Sequence, residues 1–282
     1  MSAEQLSHHD FIGVYDDFAG TSHGVGLHAQ VRYEKYNLSG IPREQWTELL
    51  GADANNLEHM RVTYQLTQAF VRYSHAHQPE LLAPVDTTLL LAAAIIHDQG
   101  EAKVGDTSYG DKSIADSARE HQEFITYATE FTPSASQMLR NFLGRARDEI
   151  VFDSTSRLGR IFNAIERVGY LRTALRASQH VVQDTAGVST DGLRWLVADV
   201  LSNQMTTLVG YASDYEAVRS YLNYEAPAIS QAFACIRVDR PEQESAGQFD
   251  SAGDDFRYYN VNQQALKRTQ FIAARTLWDA QV

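Results

Sequence analysis

The sequence predicts an all-α protein. Apolar residues recur at helical spacing over long segments between positions 55 and 222, and only six of the 282 residues are proline. No segment alternates apolar and polar residues with the period of two that is typical of strands, and no internal repeat is present. Hydrophobic residues make up 44% of the chain, which is enough to form a sizeable core.

The first clear helix begins near position 55, where Asn55 or Asn56 can cap its N-terminus. Its spacing places four residues on one face: His59, Val62, Leu66 and Phe70. A second helix, predicted to be buried, covers "VDTTLLLAAAIIHD" at 85–98, with Asp86 or Thr87 near its cap.

Three more helices are predicted over residues 110–131, 133–146 and 154–177. The last of these carries an apolar stripe of Leu158, Ile161, Ile165, Val168 and Leu171. Two further helices are predicted over 191–213 and 214–236, and the helical pattern returns from Tyr258 to Val282.

These elements divide the chain into three predicted segments. Residues 1–50 form a mixed, aromatic and partly irregular N-terminal extension, and residues 51–184 form the helical core. Residues 185–282 form a C-terminal helical region, which is interrupted at 240–255 by a polar, acidic segment predicted to be a mobile loop.

Composition excludes several classes of function. The net charge is -12 and Lys and Arg form no long runs, so there is no strong signal for nucleic-acid binding. The single cysteine, Cys235, excludes an internal disulfide and a thiolate zinc cluster. The N-terminus lacks a signal-peptide pattern and no apolar run approaches about 20 residues, so we expect a cytoplasmic protein without a membrane partner. A homo-oligomer is compatible with the sequence.

The stretch "LLLAAAIIHDQGEAKVGD" at 89–106 carries the most chemical information. The apolar run ends on His97-Asp98, and Glu101, Lys103 and Asp106 follow. Adjacent residues in a helix point about 100° apart, but both can reach one ion where the helix ends. Imidazole nitrogen and carboxylate oxygen together suit a divalent metal, and His59 is a candidate third ligand from another helix.

"EHMRV" at 58–62 followed by "IIHDQGEAKVGD" at 95–106 resembles the HD-domain metal-dependent phosphohydrolases. The likeness is greatest to the bacterial 5′-deoxynucleotidase-like branch, in which a Glu and a Gly-Asp follow the His-Asp pair at this spacing. The resemblance covers about residues 55–180. It implies an HD-domain helical bundle with N- and C-terminal helical extensions.

The resemblance also implies the site. His59, His97 and Asp98 would bind one divalent transition metal ion (Mn, Co, Fe, Ni or Zn), and Glu101 and Asp106 would be catalytic. The family's last ligand is an Asp on a later helix, but "FNAIERVGYL" places Asn163 at that position. An amide oxygen brings no charge, so metal affinity should fall or another group must compensate. Glu166 is three residues further on, and Asp153 precedes the helix.

The resemblance implies an enzyme, a hydrolase of a small phosphorylated substrate. A nucleoside or deoxynucleoside 5′-monophosphate is the expected phosphomonoester. Arg61 and Lys103 are candidate phosphate contacts, because phosphoryl transfer needs cationic partners, although each is equally well explained as a solvated surface cation.

Two alternatives stay open. One is a non-catalytic HD-fold scaffold or ligand sensor that has lost full metal binding through Asn163. The other is a different HD chemistry: a phosphodiesterase, a triphosphohydrolase or a di-iron oxygenase, for which His121 could supply an additional ligand. A count of bound metal ions separates these alternatives.

Overall fold

The computed structural model describes residues 6–105, 113–183, 190–238 and 254–281. Most of these residues are helical, and the extended pairing among them is limited to one antiparallel bridge between Val31 and Asn55. The all-α prediction is therefore confirmed. Within the described ranges, no helix combines the length and apolar character needed to cross a membrane.

The helices are numbered in chain order. They are α1 (His8–Ala19), α2 (Ser22–Ala29), α3 (Arg43–Leu50), α4 (Asn56–His77), α5 (Pro84–Ile96), α6 (Glu101–Val104), α7 (Ile114–Phe131), α8 (Gln137–Ala146), α9 (Arg157–Gln183), α10 (Asp191–Asp214), α11 (Glu216–Tyr224), α12 (Ala226–Ala234) and α13 (Val261–Asp279). A π-helical segment, Arg147–Phe152, continues directly from α8.

The chain forms two compact units, and the first comprises residues 1–32, 52–169 and 215–217. Helix α5 is central to it and contacts α1, α4 and α8. From Ala92 to Ile96 every residue of α5 is fully buried, which explains why this helix is apolar on all sides. The three alanines in this run leave room for close approach of the neighbouring helices.

The start of α4 agrees with the sequence. Asn55 caps the helix by accepting a hydrogen bond from the backbone N–H of Glu58, as predicted. Helix α5 starts slightly earlier than predicted, at Pro84, and the Asp86 carboxylate accepts the N–H of Ala83. Proline is favourable in the first turn of a helix because the missing N–H would have no intrahelical partner there.

The second unit comprises residues 33–51, 170–214 and 218–282. Helix α10 runs against α12 and α13. Its buried Asp199 accepts hydrogen bonds from the hydroxyls of Tyr36 and Tyr259, and its Oδ1 lies 3.3 Å from Lys267 Nζ. A buried carboxylate is costly unless it is paired and hydrogen-bonded, and these partners meet that requirement.

Three features differ from the sequence prediction. The N-terminal extension is largely helical, because α1, α2 and α3 occupy much of it. The predicted helix at 214–236 is two helices, since Pro227 in the first turn of α12 cannot continue α11. Residues 240–253 of the predicted mobile loop lie outside the described residues, whereas Asp254 and Asp255 at its end are buried.

The two units also cut across the three predicted segments. Residues 1–32 belong to the first unit and residues 33–51 to the second, and the division in the middle of the chain falls within α9 rather than at 184. Sequence periodicity defines α9 as one helix and carries no signal for that division.

Candidate metal centre

The candidate site forms where α5 ends. His97 caps the C-terminus of α5, residues 97–100 form a turn, and α6 starts at Glu101. The turn lies directly against α7, because a Cβ added at Gly100 would be 2.2 Å from the carbonyl oxygen of Glu120. Only glycine allows this approach, which fixes the position of the preceding His-Asp pair.

Three of the predicted ligands converge, because donor atoms of His59, His97 and Asp98 all lie within 4.8 Å of one another. Asp98 Oδ2 is 3.3 Å from His97 Nε2 and 3.8 Å from His59 Nε2. Two donors bound to one ion at about 2.0–2.2 Å would be roughly 3.0–3.6 Å apart. The cluster is thus close to the spacing that a metal ion requires.

His59 reaches the cluster from α4. It is 2% exposed, and its ring meets the ring of His97 at a centroid distance of 5.1 Å and an interplanar angle of 72°. The hydroxyl of Thr63, one turn further along α4, is 3.4 Å from His59 Nε2. Helix α4 therefore places Nε2 of His59 at the cluster.

The tautomer of His97 follows from its hydrogen bonding. Its Nδ1 is 3.0 Å from the carbonyl oxygen of Ala94, which can only accept, so Nδ1 carries a proton. Nε2 is then the atom available for a metal. Among the described residues no hydrogen bond reaches this buried Nε2, and an ion at the cluster would satisfy it.

Charges around the cluster favour ionised forms. Burial lowers the pKa of His97, but the Asp98 and Glu166 carboxylates outweigh it and hold the pKa above its usual value. Burial would raise the pKa of Asp98, yet His97, His59 and Arg32 lower it well below the ordinary range. The carboxylate is therefore available as an anionic ligand, and the imidazole must release a proton to bind metal.

Two buried arginines beside the cluster were not identified from the sequence. Arg32 Nη1 is 3.9 Å from Asp98 Oδ2, and the guanidinium of Arg147 donates a hydrogen bond to the carbonyl of His97. Arg147 begins the π-helical segment, and burial lowers its pKa while Glu120 is the strongest of the carboxylates that oppose this shift. Neither arginine belongs to a local motif, so no sequence signal marks it.

Of the two predicted catalytic acids, Glu101 lies among the described residues. Glu101 is 4% exposed at the first position of α6, and its N–H donates to the carbonyl of Asp98 at 3.0 Å. The residue is thus buried and bonded through its backbone to Asp98, which is compatible with the predicted role. Asp106 lies outside the described residues.

Asn163 and Glu166 both lie on α9. The Asn163 Oδ1 accepts a hydrogen bond from Arg167 Nε at 2.5 Å. Glu166 Oε1 is 3.5 Å from His97 Nε2. The structure therefore places the Glu166 carboxylate against His97, although Glu166 is not one of the three residues whose donor atoms all lie within 4.8 Å of one another. The Asn163 amide oxygen has a different partner.

The other predicted residues contact different groups. Arg61 is on the surface and pairs with Glu58 at 2.7 Å, and the exposed Lys103 lies over the ring of Tyr127 at 3.7 Å from its centroid. His121 stacks on Phe152 and has its Nε2 3.7 Å from Asp148. Arg61 and Lys103 thus contact Glu58 and Tyr127, and His121 is not a member of the His59–His97–Asp98 group.

The donor set fits a metal ion of intermediate softness. Two imidazole nitrogens and a carboxylate oxygen suit Zn, Mn, Fe, Co or Ni better than Ca or Mg, which prefer oxygen donors alone. No family model, curated protein or solved structure matched the chain.

Proposed function

We propose that the protein is a metal-dependent phosphohydrolase that acts on a small phosphomonoester, a nucleoside or deoxynucleoside 5′-monophosphate in particular. The observation that carries the proposal is the buried cluster of His59, His97 and Asp98, whose donor atoms lie within 4.8 Å of one another. The spacing of these residues in the sequence resembles the metal signature of the HD-domain hydrolases, which supports the same conclusion.

Bound at these residues, a divalent ion would lower the pKa of a coordinated water from 15.7 toward about 7 and polarise a phosphoryl oxygen. The two histidines and Asp98 would hold the ion. Asp98 supplies the negative charge, and the Nδ1–H bond from His97 to Ala94 fixes which ring nitrogen faces it.

Other side chains in the proposal act on water and on phosphate. Glu101, buried beside Asp98, assists as general acid or base or positions the attacking water, and Asp106 orients or deprotonates that water. Arg32 is a buried cation 3.9 Å from Asp98, which makes it a stronger candidate for contacting the phosphoryl group than the exposed Arg61 and Lys103.

A second candidate function is a scaffold or ligand sensor built on the same fold. The contact between Asn163 and Arg167 favours it, because the residue at the family's fourth ligand position is hydrogen-bonded elsewhere. This candidate predicts no bound ion and no turnover. The HD-type phosphodiesterase, triphosphohydrolase and di-iron alternatives predict different products or a second ion.

The proposal is tested by phosphate release from a panel of nucleoside and deoxynucleoside 5′-monophosphates with added Mn, Co, Zn or Mg. Asp98→Asn should abolish release, because the amide cannot supply the ligand charge. Asp279→Asn is the matched control, since Asp279 is exposed and only lies 3.8 Å from Arg275 one turn away. Circular dichroism establishes that each variant is folded. Absence of metal-stimulated release in the wild-type protein across the panel would refute the proposal.

A further inference from the structure

We infer that Glu166, and not Asn163, is the fourth ligand of the metal centre. This inference rests on the proposed metal-dependent function and identifies the residue that completes the site. The observation behind it is the 3.5 Å distance between Glu166 Oε1 and His97 Nε2. It is close to the 3.3 Å that separates His97 Nε2 from Asp98 Oδ2.

The geometry of α9 explains why position 166 reaches the cluster. Residues four apart in a helix lie on one face, so Phe162 and Glu166 share a stripe. The ring of Phe162 lies 5.6 Å from the ring of His97, which shows that this stripe faces the candidate ligand. Glu166 therefore approaches His97 from the same side as Phe162.

On the neighbouring face of α9, Asn163 is hydrogen-bonded to another residue of the same helix. Asn163 and Arg167 are also four residues apart, and Arg167 Nε donates to the Asn163 Oδ1 at 2.5 Å. That oxygen is the atom an asparagine would offer to a metal. One of its two lone pairs already accepts from the buried Arg167, and the positive charge of that guanidinium disfavours a cation at the same oxygen.

Charge and reach both favour the glutamate. The glutamate side chain is one methylene longer than that of an asparagine, and its Oε1 lies 3.5 Å from His97 Nε2. The carboxylate adds a negative charge that the amide lacks, so two imidazoles and two carboxylates would neutralise a divalent ion. A four-donor set of this kind suits the first-row transition metals.

Glu166 is also the most solvent-accessible of the four side chains, at 26% against 2%, 2% and 12% for His59, His97 and Asp98. A ligand at this position can adjust its rotamer when an ion binds, whereas the other three are held by their surroundings.

The test compares Co(II) binding to the full-length wild-type protein and to Glu166→Gln and Asn163→Ala variants, by competition titration with a chelator and by visible absorption of the Co(II) complex. We expect Glu166→Gln to weaken binding by more than the 10–100-fold that loss of an outer partner typically causes. The absorption spectrum should change as well, because a ligand is lost. Asn163→Ala should keep the wild-type affinity and spectrum.

Glu149→Gln is the matched control, because Glu149 is an exposed carboxylate that pairs with Arg145. Thermal melting confirms the fold of each variant. Wild-type affinity in Glu166→Gln, a weakened affinity with an unchanged Co(II) spectrum, or an equal loss in Asn163→Ala would each overturn the assignment while leaving the proposed function intact. If the wild-type protein bound no ion, the proposed function itself would fail.

Discussion

At the scale of single residues, the geometry of the candidate site requires Gly100 as well as the candidate ligands. A Cβ at position 100 would collide with the carbonyl oxygen of Glu120, and a backbone atom cannot move aside cheaply. We expect Gly100→Ala to destabilise the protein by about 1–3 kcal/mol, the cost of forced overpacking, and to weaken metal binding by displacing His97 and Asp98. Chemical denaturation and Co(II) titration measure the two effects.

Gly144→Ala is the matched control for this prediction. Gly144 lies in α8, and an added Cβ there meets nothing within 4 Å. Alanine should stabilise the protein by about 0.4–1 kcal/mol, because the unfolded chain loses conformational freedom. A Gly100→Ala variant as stable as the wild type would contradict the close contact between the turn and α7.

The single cysteine also gives a residue-scale prediction. Burial raises the pKa of Cys235 to about 11, and the thiol donates to the carbonyl of Ala232. Alkylation by iodoacetamide at pH 8 should therefore be on the order of a hundredfold slower than for an ordinary thiol with a pKa of about 8.5. The rate should become ordinary in urea. Fast alkylation of the folded protein would show that the half-buried thiol is not shielded in this way.

The candidate ligands that the sequence predicts and the structure brings together are those within local motifs. His97 and Asp98 are adjacent and end an apolar helix, and His59 lies on the apolar face of the preceding helix. Glu166 and Arg32 could not be identified in this way, because their approach to the cluster arises from tertiary packing. Sequence position alone favoured Asn163, since the hydrogen bond from Arg167 has no signature in the sequence.

At the scale of elements, the π-helical segment after α8 has a specific role. It begins with Arg147, which is buried, donates to the carbonyl of His97 and lies over the ring of Phe124 on α7 at 5.6 Å. Segments of π-helix frequently occur at functional sites. Here Arg147, the first residue of the segment, contacts both α7 and the turn that carries the candidate ligands His97 and Asp98.

We expect Arg147→Met to cost about 3–5 kcal/mol, because it removes the positive charge from a group of buried carboxylates. Arg145→Met is the control two residues earlier, where an exposed pair with Glu149 should contribute about 0–1 kcal/mol. Denaturant unfolding measures both changes. Similar stabilities for the two variants would argue against a structural role for the Arg147 charge.

The sequence predicts the presence of most helices, but it predicts the positions of their ends less accurately. The apolar stripe of α9 is buried as the periodicity predicts. The break between α11 and α12 was missed although Pro227 marks it, because the apolar pattern continues across the break. Periodicity reports which face of a helix is buried and is insensitive to a single interruption.

At the scale of the whole molecule, acid stability should depend on charge pairs outside the candidate site. Asp191 Oδ1 is 3.1 Å from Arg237, and its Oδ2 is 2.8 Å from Arg257. Burial raises the pKa of the Asp191 carboxyl. The hydrogen bond from Tyr258 and the charges of the two arginines lower this pKa by more than burial raises it, so the pKa lies below its usual value.

A folded-state pKa below the unfolded value stabilises the protein above about pH 4, and this contribution is lost as the pH falls through the folded-state pKa. Asp191→Asn should therefore lower the melting temperature at pH 7, and the difference from wild type should shrink below about pH 4. Thermal melts across this range measure it. A difference that is the same at every pH would contradict the charge-pair origin.

The division into two compact units was not predictable from the sequence. The boundary falls within α9, where composition and periodicity do not change, and residues 33–51 belong with the C-terminal half of the chain. Such assignments depend on contacts between distant parts of the chain. The fold class, by contrast, is set by local periodicity and was predicted correctly.

The most direct test of the central claim is anomalous X-ray diffraction from crystals of the protein grown with Co(II) or Mn(II). We expect one strong anomalous peak at about 2.0–2.2 Å from Nε2 of His59, Nε2 of His97 and a carboxylate oxygen of Asp98. Data collected above and below the metal absorption edge would identify the ion. The metal centre would be contradicted by an anomalous peak at another place instead. It would also be contradicted if crystals grown with the ion showed no peak at this cluster.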